Sequence, residues 1–348
     1  MPQMKNDNYI PSLAIWEITL KCNLKCLHCG SSAGKARSNE LTTKESLLLC
    51  KDLAELNLRG ITLFGGEPFI RKDWDIIGKE IKDLGMKLSI VSNGFVNAKN
   101  IIQRLSRLHV DSVQISLDAA SSKTHDFIRG CSGSFKKTIE FIHLSKKAGL
   151  PIGAVTTVSK MNFNELPAIR DFIIKEGIDW QIQEGIPIGR LSKKMILSPH
   201  QYYTLGLFIA STQKNYKSKD ISISHPHNFG FHSEMIPSLN KNVNWNGCWA
   251  GKLVLGIQSD GNVKGCLALG DEFIEGNVRE KSVIDIWENP NAFSYNRQTK
   301  KIELGENCKG CKYGKTCRGG CSTRSYVMTG VLYNDPFCLY QIEQMQLK

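Results

Sequence analysis

The sequence predicts an α/β fold: a partial (β/α)6 barrel of the TIM type followed by a small cysteine-rich domain. Six strand-like segments alternate with helix-like segments before residue 216, which is typical of parallel strands joined by right-handed crossovers. Seven of the twelve cysteines lie beyond residue 247, in a loop-like stretch that we expect to need bound metal in order to fold. A polar connector separates the two parts. We therefore assign residues 12–215 to the barrel, 216–247 to the connector and 248–340 to the C-terminal domain.

The individual elements follow from the pattern of apolar residues and from the turn residues between them. Strands are predicted at residues 13–19, 61–64, 87–92, 112–117, 152–158 and 180–184. Helices are predicted at residues 42–58, 73–84, 101–108, 135–148 and 165–176, with a further one beginning near residue 199. In the C-terminal part, Asp260-Gly261 lies between two strand-like runs and predicts a β-hairpin. Six repeats rather than eight predict an open barrel, with functional residues at the C-terminal ends of its strands.

Length and composition exclude several classes of protein. The chain has 348 residues, of which 41% are hydrophobic and 22% charged, so it has the composition of an ordinary globular protein. No apolar run approaches the ~18 residues that span a bilayer. The first ten residues lack the apolar segment of a secretory signal, so we expect a cytoplasmic protein. The net charge of +12 comes from scattered lysines, and nucleic-acid binding is therefore not expected. Clustered cysteines in such a chain indicate metal or redox chemistry rather than disulfides.

The first cysteine cluster, Cys22-x3-Cys26-x2-Cys29, follows the first predicted strand and supplies three thiolates. An iron–sulfur cluster with three protein ligands keeps one iron open for an outside ligand. Structural zinc is the competing interpretation, although zinc usually takes four protein ligands. The spacing, with the aromatic His28 before the last cysteine, resembles the signature of the radical S-adenosylmethionine (radical SAM) superfamily. The resemblance implies that the open iron chelates SAM, and that one electron from the cluster cleaves it to a 5′-deoxyadenosyl radical, which abstracts hydrogen from the substrate.

Further motifs of that family occur in the expected order along the chain. The residues that the resemblance implies for SAM binding are His28, Gly65, Gly66, Glu67, Ser92, Asn93, Ser116, Asp118 and Arg129. The Gly-Gly-Glu motif would contact the amino group of SAM, and Arg129, expected in a loop, would hold its carboxylate, for which a guanidinium is suited. Gly189-Arg190 after the sixth strand also recurs in the family. Taken alone, the glycine pair is consistent with a tight turn, Asp118 with a satisfied strand-end carboxylate, and Arg129 with a solvated salt bridge.

The C-terminal cysteines resemble the seven-cysteine SPASM domain in order and spacing. The pattern runs Cys248-x12-Gly261-x4-Cys266, then Cys308-x2-Cys311-x5-Cys317-x3-Cys321, and then Cys338. The resemblance implies two auxiliary [4Fe–4S] clusters, which brings the expected total to three. It assigns Cys248, Cys266 and Cys321 to the first auxiliary cluster, and Cys308, Cys311, Cys317 and Cys338 to the second. The first then lacks a fourth cysteine, and zinc ribbons stay open as the alternative.

The combination of barrel and SPASM domain resembles enzymes that modify ribosomally made peptides. We expect hydrogen abstraction from a precursor peptide, followed by a cross-link or a related modification. A radical SAM oxidoreductase acting on a small molecule or cofactor precursor is the alternative, and a non-enzymatic iron–sulfur or zinc scaffold is the third possibility. Leu267 stands where sulfatase-maturing relatives carry a basic Asp, which disfavours that subclass. Because the triplet begins at residue 22, we expect a leader to be recognised either by a separate leader-recognition protein or by the connector, and we expect an electron donor of the flavodoxin or ferredoxin type as a further partner.

Overall fold

The computed structural model describes residues 9–216, 222–225, 232–240, 247–298 and 303–346, so much of the predicted connector lies outside the described residues. The strands are β1 (Leu13–Thr19), β2 (Gly60–Gly65), β3 (Lys87–Ser92), β4 (Ser112–Ser116), β5 (Ile152–Val158), β6 (Asp179–Glu184), β7 (Ile223–Ser224), β8 (Val254–Ile257), β9 (Asn262–Lys264) and β10 (Gly276–Asn277). The helices are α1 (Thr43–Glu55), α2 (Trp74–Asp83), α3 (Ala98–Leu108), α4 (Ser122–Arg129), α5 (Ser134–Lys147), α6 (Leu166–Glu176), α7 (Pro199–Asn215), α8 (Val283–Glu288), α9 (Ser294–Arg297), α10 (Gly314–Cys317), α11 (Ser322–Thr329) and α12 (Leu339–Gln346). The six predicted barrel strands are confirmed.

The strands form one sheet, in the order β10-β9-β8-β1-β2-β3-β4-β5-β6-β7. Strands β1 to β6 pair in parallel with their neighbours along the chain, as the alternation of strands and helices predicts. The ends of the sheet do not pair with each other among the described strands, which confirms the partial barrel. The C-terminal ends of β1 to β6 therefore meet on one side of the barrel, where functional residues are expected.

The β-hairpin of the C-terminal part continues the barrel sheet. Strand β8 pairs in parallel with β1, from Leu13 opposite Val254 to Trp16 opposite Ile257, and β9 pairs with β8 in antiparallel fashion. The predicted hairpin is thus present, but it is attached directly to the edge strand of the barrel. This pairing satisfies backbone groups of β1 that would otherwise lie at an open sheet edge. The predicted domain boundaries themselves stay a prediction.

The core lies mainly on one face of the parallel strands, because buried residues alternate with half-buried or exposed ones along β3, β4 and β6. Trp16 on β1, Trp74 on α2 and Trp180 on β6 are completely buried. Helix α1 begins with a capping box between Thr42 and Glu45, which satisfies the free N–H groups of its first turn. Along the described residues, none of the helices combines the length and the apolar character needed to cross a bilayer.

Helix α4 is an element that the sequence-based prediction misses. Ser121 caps its N-terminus by accepting a hydrogen bond from the Thr124 N–H, and Gly130 ends it in the left-handed conformation, with φ of 65°. Arg129, which was expected in a loop, is the last helical residue and is only 6% exposed. The interpretation of Arg129 as part of a solvated salt bridge in a loop is therefore wrong.

Candidate active site

The first cysteine cluster lies in a loop that leaves β1 at its C-terminal end. The loop is closed on itself because the Cys22 N–H donates to the Gly34 carbonyl (3.0 Å), and it is tied to α4 because the Leu27 N–H donates to the Ile128 carbonyl (2.8 Å). Burial raises the pKa of the Cys22 thiol to about 11 and also raises that of Cys26. Both thiols therefore keep their protons at neutral pH until a metal ion displaces them.

Gly189 and Arg190, for which the sequence gives no role, clamp this loop. The Arg190 side chain donates from Nε to the Cys26 carbonyl (2.8 Å) and from Nη1 to the Ala33 carbonyl (2.9 Å). Its backbone N–H donates to the Cys29 carbonyl (3.0 Å). A Cβ at Gly189 would lie 2.3 Å from that same carbonyl oxygen, and its φ is 59°. Arg190 is therefore a positioning residue for the cysteine loop.

The predicted Gly65-Gly66-Glu67 motif follows β2 and presses its backbone against the start of the cysteine loop. The Gly66 N–H donates to the Thr19 carbonyl (2.8 Å), and the Glu67 N–H donates to the Lys21 carbonyl (2.9 Å). Gly65 has φ of 150°, and a Cβ at Gly66 would lie 2.1 Å from the Lys21 carbonyl oxygen. Glycine is required at both positions, because no larger residue fits this close approach.

The side chain of Glu67 is completely buried and organises the residues after β3. Its carboxylate accepts hydrogen bonds from the Ser92 hydroxyl (2.9 Å) and from the backbone N–H groups of Asn93 (2.8 Å) and Phe69 (3.1 Å). Burial raises the pKa of Glu67 to about 7, against the opposite effect of these hydrogen bonds. The Asn93 amide also lies 3.7 Å from the Cys22 sulfur. The predicted residues after β2 and β3 thus form one network beside the first cysteine.

Asp118, two residues after β4, is the centre of a second buried network. One of its oxygens accepts from Nε2 of His28 (2.7 Å) and from Nη2 of Arg129 (2.6 Å). Burial alone would raise the pKa of Asp118, but the charges of Arg129 and His28 hold it well below its usual range. Arg129 also directs Nη1 at the Cys26 sulfur (3.7 Å). Ser116, the last residue of β4, takes part in none of these contacts.

His125 on α4 is a site residue that the sequence-based prediction misses. Its Nδ1 accepts a hydrogen bond from the Asp118 N–H (3.3 Å), and the residue is fully buried. Burial, followed by the charge of Arg129, lowers the pKa of His125 to about 4, so the ring is neutral at pH 7. Its position four residues before Arg129, on the same face of a helix, is the signal that could have identified it.

Three buried polar atoms of this network have no hydrogen-bond partner among the described residues. They are Nδ1 of His28, Nε2 of His125 and Nε of Arg129. Unpaired buried polar atoms are uncommon in folded proteins and call for a partner from outside the chain. A ligand with several polar groups, bound beside three cysteine thiols and a buried guanidinium, fits this arrangement. The donor set is thus compatible with SAM and an iron–sulfur cluster.

The C-terminal cysteines lie in two groups of neighbours. Burial, and then the negative charge of Cys248, raises the pKa of both Cys266 and Cys321. In the second group, burial and then the charges of Asp335, Cys338 and Cys311 raise the pKa of Cys308 to about 12. The pKa of Cys317 is raised by burial and then by Cys338. Cys248 thus influences Cys266 and Cys321, and Cys338 influences Cys308 and Cys317; the assignment of the seven cysteines to two clusters stays a prediction.

The remaining cysteines belong to neither group. Cys50 is fully buried on α1 and packs as a small apolar side chain. Cys131 follows α4, and its thiol lies 3.6 Å from the Ser132 carbonyl. Within the described ranges, no three His, Cys, Asp or Glu side chains converge tightly enough to hold one metal ion. An iron–sulfur cluster spreads its ligands over several iron atoms, so its thiolates lie farther apart than those around a single ion.

Comparison with known proteins agrees with this arrangement. Residues 16–173 match the family model of the radical SAM superfamily, and residues 248–312 match the SPASM iron–sulfur cluster-binding domain. The chain is 30% identical to the AdoMet-dependent heme synthase of Methanosarcina barkeri, covering 95% of this chain and 97% of that protein. It is 28% identical to the mycofactocin maturase MftC of Mycobacterium ulcerans, covering 94% of this chain and 88% of that protein.

Solved structures share the same fold. The Streptococcus suis protein SuiB bound to S-adenosylmethionine superimposes with a TM-score of 0.76 at 17% sequence identity, covering 95% of this chain and 76% of that chain. The fold and the site together define an open α/β barrel that carries a three-cysteine loop at its C-terminal side. The chain belongs to the radical SAM superfamily, and it is a radical SAM enzyme with a C-terminal SPASM domain.

Proposed function

We propose that this protein is a peptide maturase, an oxidoreductase that abstracts hydrogen from a ribosomally made precursor peptide and installs a cross-link or a related modification. The mycofactocin maturases resemble the chain over 94% of its length. The cleft between the end of β6 and helix α11 has room for about one water-sized molecule, and we assign it to the tip of a side chain of the substrate.

In this proposal, Cys22, Cys26 and Cys29 hold a [4Fe–4S] cluster with an iron open to SAM. When bound, the cluster and SAM supply the radical that takes a hydrogen atom from the substrate. Arg129 binds the SAM carboxylate while its other nitrogen stays on Asp118, and Asp118 keeps both the guanidinium and His28 in place. The Gly-Gly-Glu motif holds the amino end of SAM. The buried residues around β1 and β4 exclude water from this site.

The two C-terminal cysteine groups are proposed to hold one auxiliary [4Fe–4S] cluster each. Together with the cluster of the barrel, the protein would then hold three clusters. The first group contributes three cysteines, so its fourth position is left for another ligand. A precursor peptide, a separate leader-recognition protein and an electron donor of the flavodoxin or ferredoxin type are the proposed partners.

A second candidate is chemistry on an iron tetrapyrrole. The observation that favours it is the 30% identity to a heme synthase over nearly the whole length of both chains. A further relative, at 26% identity over 96% of this chain, is an Fe-coproporphyrin III synthase of the same organism. In this reading the barrel, rather than the narrow cleft at β6, would accommodate the substrate.

The two candidates are separated by one experiment on the anaerobically reconstituted enzyme. The enzyme is reduced and supplied with SAM and either the peptide encoded beside it or Fe-coproporphyrin III, and products are followed by mass spectrometry. We expect the peptide to lose the mass of two hydrogen atoms for each cross-link, and no loss with the Cys26→Ala variant. Modification of the tetrapyrrole, with an unchanged peptide, would refute the proposal.

A further inference from the structure

A narrow cleft lies at the C-terminal end of β6, where the barrel meets the C-terminal domain. It contains about 260 Å³ of empty space, which includes its opening to solvent, and its enclosed part holds about one water-sized molecule. Its apolar walls are formed by Ile186, Pro187, Ile196, Leu197, Met328 and Phe337. Its polar lining comes from Glu184, Tyr202 and Arg324. The cleft therefore combines an apolar wall with a few convergent polar groups, which is the usual character of a binding site.

The cleft lies between the cysteine loop of the barrel and the C-terminal cysteines. One of its walls belongs to the segment 185–191, whose last residues clamp the Cys29 carbonyl through Arg190. The opposite wall belongs to α11, which begins directly after Cys321. Phe337, also in the wall, directly precedes Cys338. A side chain in this cleft would thus lie between the site of radical generation and both C-terminal cysteine groups.

The polar end of the cleft contains an unbalanced set of buried charges. Arg324 donates to both oxygens of Asp335 (Nε to Oδ1, 2.7 Å; Nη2 to Oδ2, 2.5 Å). Its remaining nitrogen donates to Oε1 of Glu184 and to the Tyr202 hydroxyl (3.0 Å). One guanidinium therefore faces two carboxylates, and the side chains of Arg324, Glu184 and Asp335 are 3%, 5% and 4% exposed. Among the described residues, Oε2 of Glu184 accepts no hydrogen bond.

An excess negative charge in a buried site is costly unless a proton or a cation compensates it. Burial raises the pKa of Glu184 to about 7; the charge of Arg324 lowers it and that of Asp335 raises it. The empty protein can thus compensate the charge by holding a proton on Glu184. A cation from outside the chain would do the same and would displace that proton.

We propose that this cleft binds the ammonium group of an aliphatic side chain of the substrate, with Oε2 of Glu184 as its acceptor. The inference rests on the proposed peptide substrate and specifies which side chain the enzyme takes into the cleft. An ammonium group is about as large as the water-sized molecule that the cleft can hold. The apolar walls suit the methylene stem of a lysine-type side chain, which buries its carbons while its charged end finds a polar partner.

The test compares two probes with the same four-carbon side-chain stem on the anaerobic holoenzyme by calorimetry. Nα-acetyl-lysine methylamide carries the ammonium group, and Nα-acetyl-norleucine methylamide carries the stem alone. Between pH 6 and pH 8 the ionised fraction of a carboxyl with a pKa of about 7 rises about tenfold. We therefore expect the affinity for the lysine probe to rise about tenfold over this range, with proton release at pH 6, while the norleucine probe is unaffected. Equal affinity for both probes at both pH values would overturn the proposal.

Variants isolate the role of Glu184. Glu184→Gln should remove the preference for the lysine probe and its pH dependence, whereas Glu288→Gln, an exposed residue at the end of α8, should keep both. A preference for lysine that persists in Glu184→Gln would contradict the assignment. The wild-type comparison of the two probes stands even if the Glu184 variant fails to fold. If the enzyme modifies the peptide but does not prefer the lysine probe, this inference is wrong and the proposed function stands. If it prefers the lysine probe but does not modify the peptide, the proposed function is wrong and the binding of an ammonium group in the cleft stands.

Discussion

Replacing Gly66 with alanine should displace the start of the cysteine loop and slow SAM cleavage about 100-fold. A Cβ at this position would lie 2.1 Å from the Lys21 carbonyl oxygen, 2.5 Å from the Lys21 carbonyl carbon and 2.6 Å from the Leu20 carbonyl oxygen. All three are backbone atoms, which cannot rotate away as a side chain can. To reach 3.0 Å, below which real Cβ contacts are essentially not found, the Lys21 backbone must move by about 0.9 Å. Lys21 directly precedes Cys22, so the movement passes to the first cysteine.

The expected loss follows from the size of this displacement. A misplacement of about 1 Å at a reacting centre costs on the order of 100-fold in rate, and overpacking costs about 1–3 kcal/mol of stability. The assay measures formation of 5′-deoxyadenosine from SAM by the reduced, reconstituted enzyme, together with thermal unfolding. We expect about a 100-fold lower rate for Gly66→Ala. SAM cleavage at the wild-type rate would refute the close approach between β2 and the cysteine loop.

Gly177→Ala is the matched control, since it destabilises the protein at a distance from the site. Gly177 ends α6 with φ of 62°, and a Cβ there would meet nothing within 4 Å. The substitution costs about 1–2 kcal/mol because an L-residue is strained in the left-handed conformation. SAM cleavage below the melting temperature should be unaffected. If both variants lost activity in proportion to their stability, the effect at Gly66 would be unfolding rather than displacement.

Three further outcomes are expected. Cys26→Ala should abolish SAM cleavage and lower the iron content by about one third, if three clusters are present; unchanged cleavage would exclude the barrel cluster. Arg190→Met should keep the length of the side chain but lose its hydrogen bonds to two loop carbonyls. It should slow SAM cleavage about tenfold, and the electron paramagnetic resonance signals of the auxiliary clusters should be unaltered. Glu67 and Glu184 both have their pKa raised to about 7 by burial, so each binds a proton in the folded state between pH 4.5 and 7 that the unfolded chain releases. Urea unfolding of the cluster-free protein should therefore show stability falling by about 1 kcal/mol per group from pH 6 to pH 8, offset in part by His125, whose lowered pKa makes its own contribution rise with pH. Equal midpoints would argue against the burial of both carboxyls.

Several barrel strands were predictable because apolar residues alternate with polar ones along them, as in β3, β4 and β6, where the buried residues are mainly the apolar ones. Strand β3 ends at Ser92, where Asn93-Gly94 marks the turn, and its predicted and observed bounds coincide. The glycine pair after β2 was equally visible. Local sequence carries these signals because each depends only on residues that are neighbours in the chain.

Helix α4 was not predictable in the same way, because its buried face is polar. His125, Ile128 and Arg129 are its buried residues, and two of these three are charged or titratable. They are buried because Asp118, from another element, pairs with Arg129 and donates its N–H to His125. A prediction that treats every polar residue as exposed therefore fails where an ion pair with a residue distant in the chain compensates the cost of burying the charge. The same holds for Arg324, whose partners Glu184 and Asp335 come from two different parts of the chain.

The pairing of β8 with β1 was equally hidden, and it has consequences for how the cysteines are arranged. Strand β1 leads into the cysteine loop, while β8 and β9 lie between Cys248 and Cys266. The buried Glu17 of β1 reinforces this pairing by accepting a hydrogen bond from the Ser259 hydroxyl (3.1 Å). Main-chain register therefore fixes the distance between the barrel cysteines and the first C-terminal group.

The second C-terminal cysteine group is held differently. Its cysteines lie on loops and short helices such as α10, and Asp335, three residues before Cys338, pairs with Arg324, which in turn pairs with Glu184 of the barrel. Side-chain bridges are more easily rearranged than a strand pair, because only a few bonds have to break. Arg324 also lies three residues after Cys321 of the first group, and the Cys321 N–H donates to Oδ2 of Asp335 (3.4 Å). A rearrangement of the bridge to Glu184 would therefore reach both C-terminal groups, whereas a change in the strand pairing would reach the first group alone.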